Sequence, residues 1–161
     1  MVENGYLCRQ IKTDMSEIII KEVSTKKDLD KFTCFNYELY KGNQYAIPDL
    51  YQDMVDTCDP KKNAGHEFSD IQLFLAYKDG KVVGRVGAFI NNHANETWNV
   101  KNVRFGWIDF IDDKEVSKAL LDAVKEWGRQ RGMTSMQGPL GITDMDPEGM
   151  LIEGFDKLGT I

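Results

Sequence analysis

The chain has 161 residues, 42% of them hydrophobic and 29% charged. These near-average values exclude a disordered, collagen-like or disulfide-framework protein and suit one domain burying about two-thirds of its unfolded surface. Lys and Arg number 20 against 26 Asp and Glu, a formal net charge of −6, which is the wrong sign for phosphate-backbone binding and argues against nucleic acid as a partner.

Residues 1 to 14 show no sustained hydrophobic period, and 1–16 are read as an extension ahead of a domain spanning 17–161. The longest apolar run of the first twenty residues, Ile18 to Ile20, is far too short for a signal-peptide core or a membrane span. Glu17 to Val23 has the β-branched density of a short strand. Ser24-Thr25 offers helix caps, and Leu29, Phe32, Phe35 (or Asn36) and Leu39 recur at helical spacing before Gly42 closes the element. A second, weaker helix is expected over Leu50 to Thr57, then a polar loop from Lys61 to Asp70.

Ile71, Leu73, Leu75 and Tyr77 alternate with their neighbours as a strand does. Asp79-Gly80 supplies the left-handed residues of a type I′ turn, so Lys81 to Ile90 returns as a hairpin partner. Asn91 to Asn102 reads as loop and Val103 to Ile111 as a further strand. In that strand Val103, Phe105 and Trp107 share one parity, but Ile108 and Phe110 carry the apolar positions onto the other. Either a bulge near Trp107-Ile108 resets the register or the strand is buried on both faces. Asp112, with Glu115 three residues on, forms a capping box for a helix striped by Val116, Leu120, Ala123, Val124 and Trp127 and stopped by Gly132. Thr134 to Gln137 is a short strand, Gly138 to Glu148 a loop, and Gly149 to Leu158 a last amphipathic helix.

These elements predict an α/β (α+β) mixed sheet. The strand at Val103 to Ile111, the long helix and the strand at Thr134 to Gln137 form a right-handed βαβ unit with parallel strands. Ligands in such sheets collect outside the carboxyl ends of the strands, near a helix N-terminus. That rule maps a site to Asp109 through Lys118 plus Gly138 through Asp144.

The element order, the Lys78-Asp79-Gly80-Lys81 hairpin, and Phe105-Gly106-Trp107 running into Ser117-Lys118-Ala119-Leu120-Leu121, with Trp127-Gly128 and Arg131-Gly132-Met133, resemble a divergent branch of the Gcn5-related N-acetyltransferase (GNAT) superfamily over Ile18 to Ile161. The resemblance implies a mostly antiparallel sheet with one parallel crossover, C-terminally incomplete, as in the front part of a longer member. It implies an acyl-CoA in the gap between the two parallel strands, with Ile108, Phe110 and Ile111 facing the pantetheine. Lys114, Val116, Ser117 and Lys118 would cradle the phosphates. The implied chemistry is acyl transfer from the CoA thioester to a small-molecule amine; the alternative is a fold-only ligand- or protein-binding module that has lost CoA binding. The chain departs from the family in having Asp112-Asp113-Lys114-Glu115-Val116 where the family has a glycine-rich loop.

For the general base that an attacking ammonium needs, Asp109 is the candidate, set in an otherwise apolar strand. Its competing reading is a solvent-facing residue or a partner of Arg104 or Arg85. His93 and Glu96 are weaker candidates. Tyr40, with Tyr37 and Tyr45, could line an acceptor pocket or simply belong to the core, and Gly138, Gly141 and Asp144 are expected to border the cleft. Asp144-x-Asp146-x-Glu148-Gly149 imitates the start of a calcium loop, but Phe155 stands at its twelfth position, so no metal is expected. His66 and His93 are too far apart to share a helix face as zinc ligands. Cys8, Cys34 and Cys58 form no C-x-x-C pair and fit a reducing, cytoplasmic setting. A second copy of the chain covering the strand edge near 134–137 is a further expectation.

Overall fold

The computed structural model describes residues 17–158. The extension read over 1–16 and the cysteine at position 8 lie outside the described residues. Five strands form one sheet in sequential order: β1 (Ile19–Glu22), β2 (Ser69–Lys78), β3 (Lys81–Asn91), β4 (Asn102–Phe110) and β5 (Ser135–Gln137). The first four run antiparallel to their neighbours and β5 runs parallel to β4, as the predicted βαβ crossover requires. The helices are α1 (Lys26–Leu39), α2 (Tyr51–Thr57), α3 (Asn92–Thr97) and α4 (Lys114–Gln130).

The caps explain where the helices begin. Thr25 accepts a hydrogen bond from the Asp28 amide and starts α1. The N-cap of α4 is Asp113, which accepts from the Glu115 amide at 2.9 Å, not Asp112 with a Glu115 capping box. Asp113 wins because Lys78 on β2 bonds its other oxygen at 2.8 Å, anchoring the cap to the sheet. Asp79 and Gly80 adopt φ of 52° and 75°, as the hairpin turn demands.

Three further expectations are corrected. The Asn91 to Asn102 segment contains α3, capped by Asn91 through the Ala94 amide. Ala64–Glu67 within the expected polar loop forms a 3-10 turn. No helix forms over 149–158: Gly149 and Gly154 sit at φ of 86° and 82°, left-handed geometry that breaks helical hydrogen bonding twice in six residues.

The sheet has a helix layer on each face. On one, α4 packs Val116, Leu120, Val124 and Trp127 against Phe74, Val86, Ala88 and Val103. On the other, α1 and α2 bring Phe32 and Met54 onto Leu73 and Leu75. β4 serves both layers because it is bulged. Its register with β3 passes from Gly87↔Gly106 to Arg85↔Asp109, so Trp107 and Ile108 share one partner position, and Trp107 has φ of 47°. The extra residue leaves Phe105, Ile108 and Phe110 on the α4 side. Trp107 turns to the α1 side, edge-on to Phe32 and Phe89.

Candidate functional site

The bulge governs both halves of the site. Along the backbone, β5 pairs with β4 only from Asn102 to Arg104, and the last contact is the Leu140 amide donating to the Phe105 carbonyl at 2.8 Å. The chain then crosses β4 over Gly106, where a Cβ would lie 2.9 Å from the Leu140 carbonyl oxygen; a glycine is needed for that close approach. No described strand runs beside β4 after this point. Since the Ile111 amide points to Val83 on β3, alternation turns the N–H and C=O of Ile108 and Phe110 toward the open side. Those groups form a free backbone edge, flanked by the half-buried Ile108, Phe110 and Ile111 side chains.

The side chains displaced by the bulge build the other half. Asp109 faces the α1 layer, where Arg85, 2% exposed, bonds its Oδ2 through Nε at 2.8 Å and through a second guanidinium nitrogen at 2.7 Å. Arg85 also donates to the Phe32 carbonyl of α1 at 2.9 Å. Tyr40, at the end of α1, donates to Asp109 Oδ1 at 2.9 Å. Burial, followed by the negative charge and hydrogen bond of Asp109, pushes the Tyr40 phenol up to about 12, so it stays a donor at neutral pH. Arginine pairing, the competing reading of Asp109, is therefore what the fold contains, with Arg85 and not Arg104 as partner. Asp109 is nonetheless not saturated, because Oδ1 accepts from Tyr40 alone and a carboxylate oxygen can accept twice.

Tyr40, Arg85 and Asp109 open into a cavity of about 710 Å³ that also includes Asn36, Tyr45, Ile47, Pro48, Asp49 and part of the 149–158 segment. Gly138, Gly141 and Asp144 are not in its lining. Gly138 and Gly141 lie close against Phe105 and Asp146, and Asp144 pairs with Arg104 at 3.4 Å beside Trp98. His93 stacks on Phe68. Asp146 accepts from the Thr143 amide at 2.7 Å as a turn residue, and no cluster of three metal-ligating side chains occurs among the described residues. The Cys58 thiol is pushed up to about 12 by burial, which removes it as a nucleophile. Among the described residues, no helix is long and apolar enough to cross a membrane.

Sequence reasoning passed over Asn36 and Asp49 as site residues and treated Arg85 only as a partner for Asp109. The available signals were a polar residue on the Phe32, Asn36, Tyr40 stripe of α1 and an arginine inside a valine-rich strand.

The two ends of an acyl-CoA find different receptions here. The free edge at Ile108 and Phe110 fits a pantetheine arm, which pairs with backbone as a strand would. At the start of α4, the Glu115, Val116 and Ser117 amides are already taken by Asp113, and the Val116 side chain is fully buried. A diphosphate would therefore be met by the side chains of Lys114 and Lys118, the latter now 2.6 Å from Asp122.

This architecture is the GNAT acetyltransferase fold. A solved tandem GNAT protein from the clavulanic acid biosynthesis pathway superimposes with a TM-score of 0.57 at 14% identity, over 74% of this chain and 35% of that one. The aminoglycoside N-acetyltransferase AAC(6')-Iy in complex with CoA gives 0.51 at 15% identity, over 86% and 94%. In sequence, the chain is 33% identical over 138 residues to Protein YghO of Escherichia coli K12, covering 86% of this chain and 35% of that protein. It is 30% identical over 142 residues to the bacterial ceramide synthase of Caulobacter vibrioides, covering 88% and 37%. The chain thus spans little more than a third of these curated relatives, and no family model matches it.

Proposed function

We propose that this chain carries the acyl-donor half and the first part of the acceptor site of an N-acyltransferase that moves an acyl group from a CoA thioester to an amine. The observation that carries the reading is the free β4 edge at Ile108 and Phe110, one residue away from Asp109 and its cavity. CoA complexes of the same fold support it. So does the likeness to a ceramide synthase, since a ceramide is by definition an amide of a fatty acid and an amino alcohol.

A bound acyl-CoA supplies an activated carbonyl carbon. Ile108 and Phe110 hold the arm by strand-like hydrogen bonds, which fixes the carbonyl beside Asp109. The unfilled lone pair of Asp109 Oδ1 accepts a hydrogen from the incoming ammonium and passes its proton to water, leaving the neutral amine. Its nitrogen then forms the C–N bond as the C–S bond breaks, and the proton lost on amide formation balances the departing thiolate. Arg85 aims Asp109 through its two contacts with Oδ2, and Tyr40 holds Oδ1 in place. Lys114 and Lys118 would offset the phosphate charge.

Acetyl-CoA titrated against the chain should raise its melting temperature by about 5–10 °C at a hundredfold excess over Kd. No shift at millimolar acetyl-CoA would favour the fold-only binding module.

A further inference from the structure

The free β4 edge and the start of α4 offer the two parts of a CoA thioester unequal contacts. At the edge, Ile108 and Phe110 turn both N–H and C=O outward, since the Ile111 amide points to Val83. That pattern lets a chain of amide groups add itself as a strand. The half-buried side chains of Ile108, Phe110 and Ile111 lie along it.

The start of α4 is built the other way. A helix N-terminus attracts an anion through amides that the helix itself leaves unbonded, but here Asp113 occupies them. Its Oδ1 accepts from the Glu115 amide at 2.9 Å, and its carbonyl accepts from the Val116 and Ser117 amides at 3.1 and 3.3 Å. Lys78 bonds the other carboxylate oxygen at 2.8 Å. The same ammonium holds the Asp113 carboxyl below the usual carboxylate range, so the cap is an anion at neutral pH. A phosphate nest also needs left-handed residues that curl successive amides round the anion. Among the described residues, 108–131 contain none, and no glycine stands between Gly106 and Gly128 to supply one.

The charges agree. Asp112, Asp113 and Glu115 against Lys114 and Lys118 leave a formal charge of −1 over 112–118. Lys118 is 2.6 Å from Asp122, Lys78 is spent on Asp113, and on the same hairpin Asp79 offsets Lys81. Lys114 is left to meet a diphosphate, with Asp112 and Glu115 close to it in the chain. One exposed ion pair beside two carboxylates adds little affinity.

We infer that the donor site selects the pantetheine arm and not the nucleotide diphosphate, so that thioesters of pantetheine and phosphopantetheine are donors on a par with those of CoA. The inference rests on the acyl-transfer reading and narrows what the donor must carry. The step is unchanged: the amine nitrogen bonds the carbonyl carbon, the C–S bond to the pantetheine sulfur breaks, and the proton lost on amide formation balances the thiolate.

The test is calorimetric titration of the 161-residue chain with acetyl-CoA, S-acetylphosphopantetheine and S-acetylpantetheine, with ADP as the probe for the nucleotide alone. The three thioesters should bind within about fivefold of one another, the most that one exposed ion pair supplies. ADP at millimolar concentration should not displace S-acetylpantetheine. Asp113→Gly frees the Glu115 amide and Lys78 while keeping a residue tolerated at a helix N-cap. It should tighten acetyl-CoA by about threefold or more and leave S-acetylpantetheine unchanged, and Asp113→Ser, an uncharged cap, serves should the glycine variant fold poorly. Acetyl-CoA bound more than about fivefold tighter than S-acetylpantetheine, displacement by ADP, or wild-type preference in both variants overturns the inference and leaves the transferase reading standing. Binding of none of the three thioesters would overturn the transferase reading, and the inference with it.

Discussion

The α4 face of the sheet is apolar throughout, from Val86 and Val103 to Leu120 and Val124, and its packing needs no polar partner. The α1 face of the same strands buries Arg85, Asn36 and Thr33 and leaves two of their neighbouring polar atoms, Thr33 Oγ1 and Asn36 Oδ1, without partners. A sheet does not acquire such a face through packing, because unpaired polar burial is unfavourable. The contrast teaches that one layer packs without polar partners while the other buries charged and unpaired polar groups, with the β4 bulge deciding which side chain joins which.

The largest expected effect on the polar face is at its centre. Arg85→Met should cost about 3–5 kcal/mol in urea unfolding, because Asp109 is left buried without its counter-charge. Adding Asp109→Leu to that variant should restore much of the loss, and a double variant no more stable than the single one would break the distinction between the faces. On the apolar face, Leu120→Ala should cost about 2–5 kcal/mol in the same urea unfolding through the cavity it opens.

A pH effect comes next. The Lys78 ammonium beside Asp113 holds that carboxyl below the usual carboxylate range, helped by the Glu115 amide. A depressed folded value means that the stabilisation is present above the unfolded carboxyl value of about 3.9 and is lost as pH falls through the folded value. Asp113→Asn keeps a capping side chain but removes this charge, so its unfolding curve should show less acid sensitivity below about pH 4; an unchanged acid slope would contradict the pairing. The smallest effect is Thr33→Val, which replaces an orphan hydroxyl by a methyl group and should leave stability unchanged or raise it by up to about 1 kcal/mol. A clear loss would mean that Thr33 has a partner after all.

Period and punctuation made the sheet readable in advance. Alternation in β2, the Asp79-Gly80 turn and the stripe of α4 lead directly to the antiparallel hairpin and the parallel crossover. The parity change at Trp107-Ile108 left a bulge and a strand buried on both faces open, and the structure has the bulge. The 149–158 segment misled, since Leu151, Ile152 and Phe155 have helical spacing while Gly149 before them and Gly154 among them set the backbone. The site was half legible. Asp109 and Tyr40, both singled out from the sequence, come into hydrogen-bond contact through strand and helix positions that the pattern gave. Asn36 and Asp49 join them only through the packing of α1 and the loop before α2, a tertiary contact between segments 13 residues apart that no local pattern encodes.

The central claim is that the β4 edge beyond the bulge receives the thioester arm. Amide resonances of the ¹⁵N-labelled chain followed during acetyl-CoA titration test it most directly. The account predicts saturable shifts centred on Ile108, Asp109 and Phe110, extending to Lys114 and Lys118. Shifts confined to other regions, such as the Trp98 surface, with the β4 edge unmoved at saturating ligand, would contradict it.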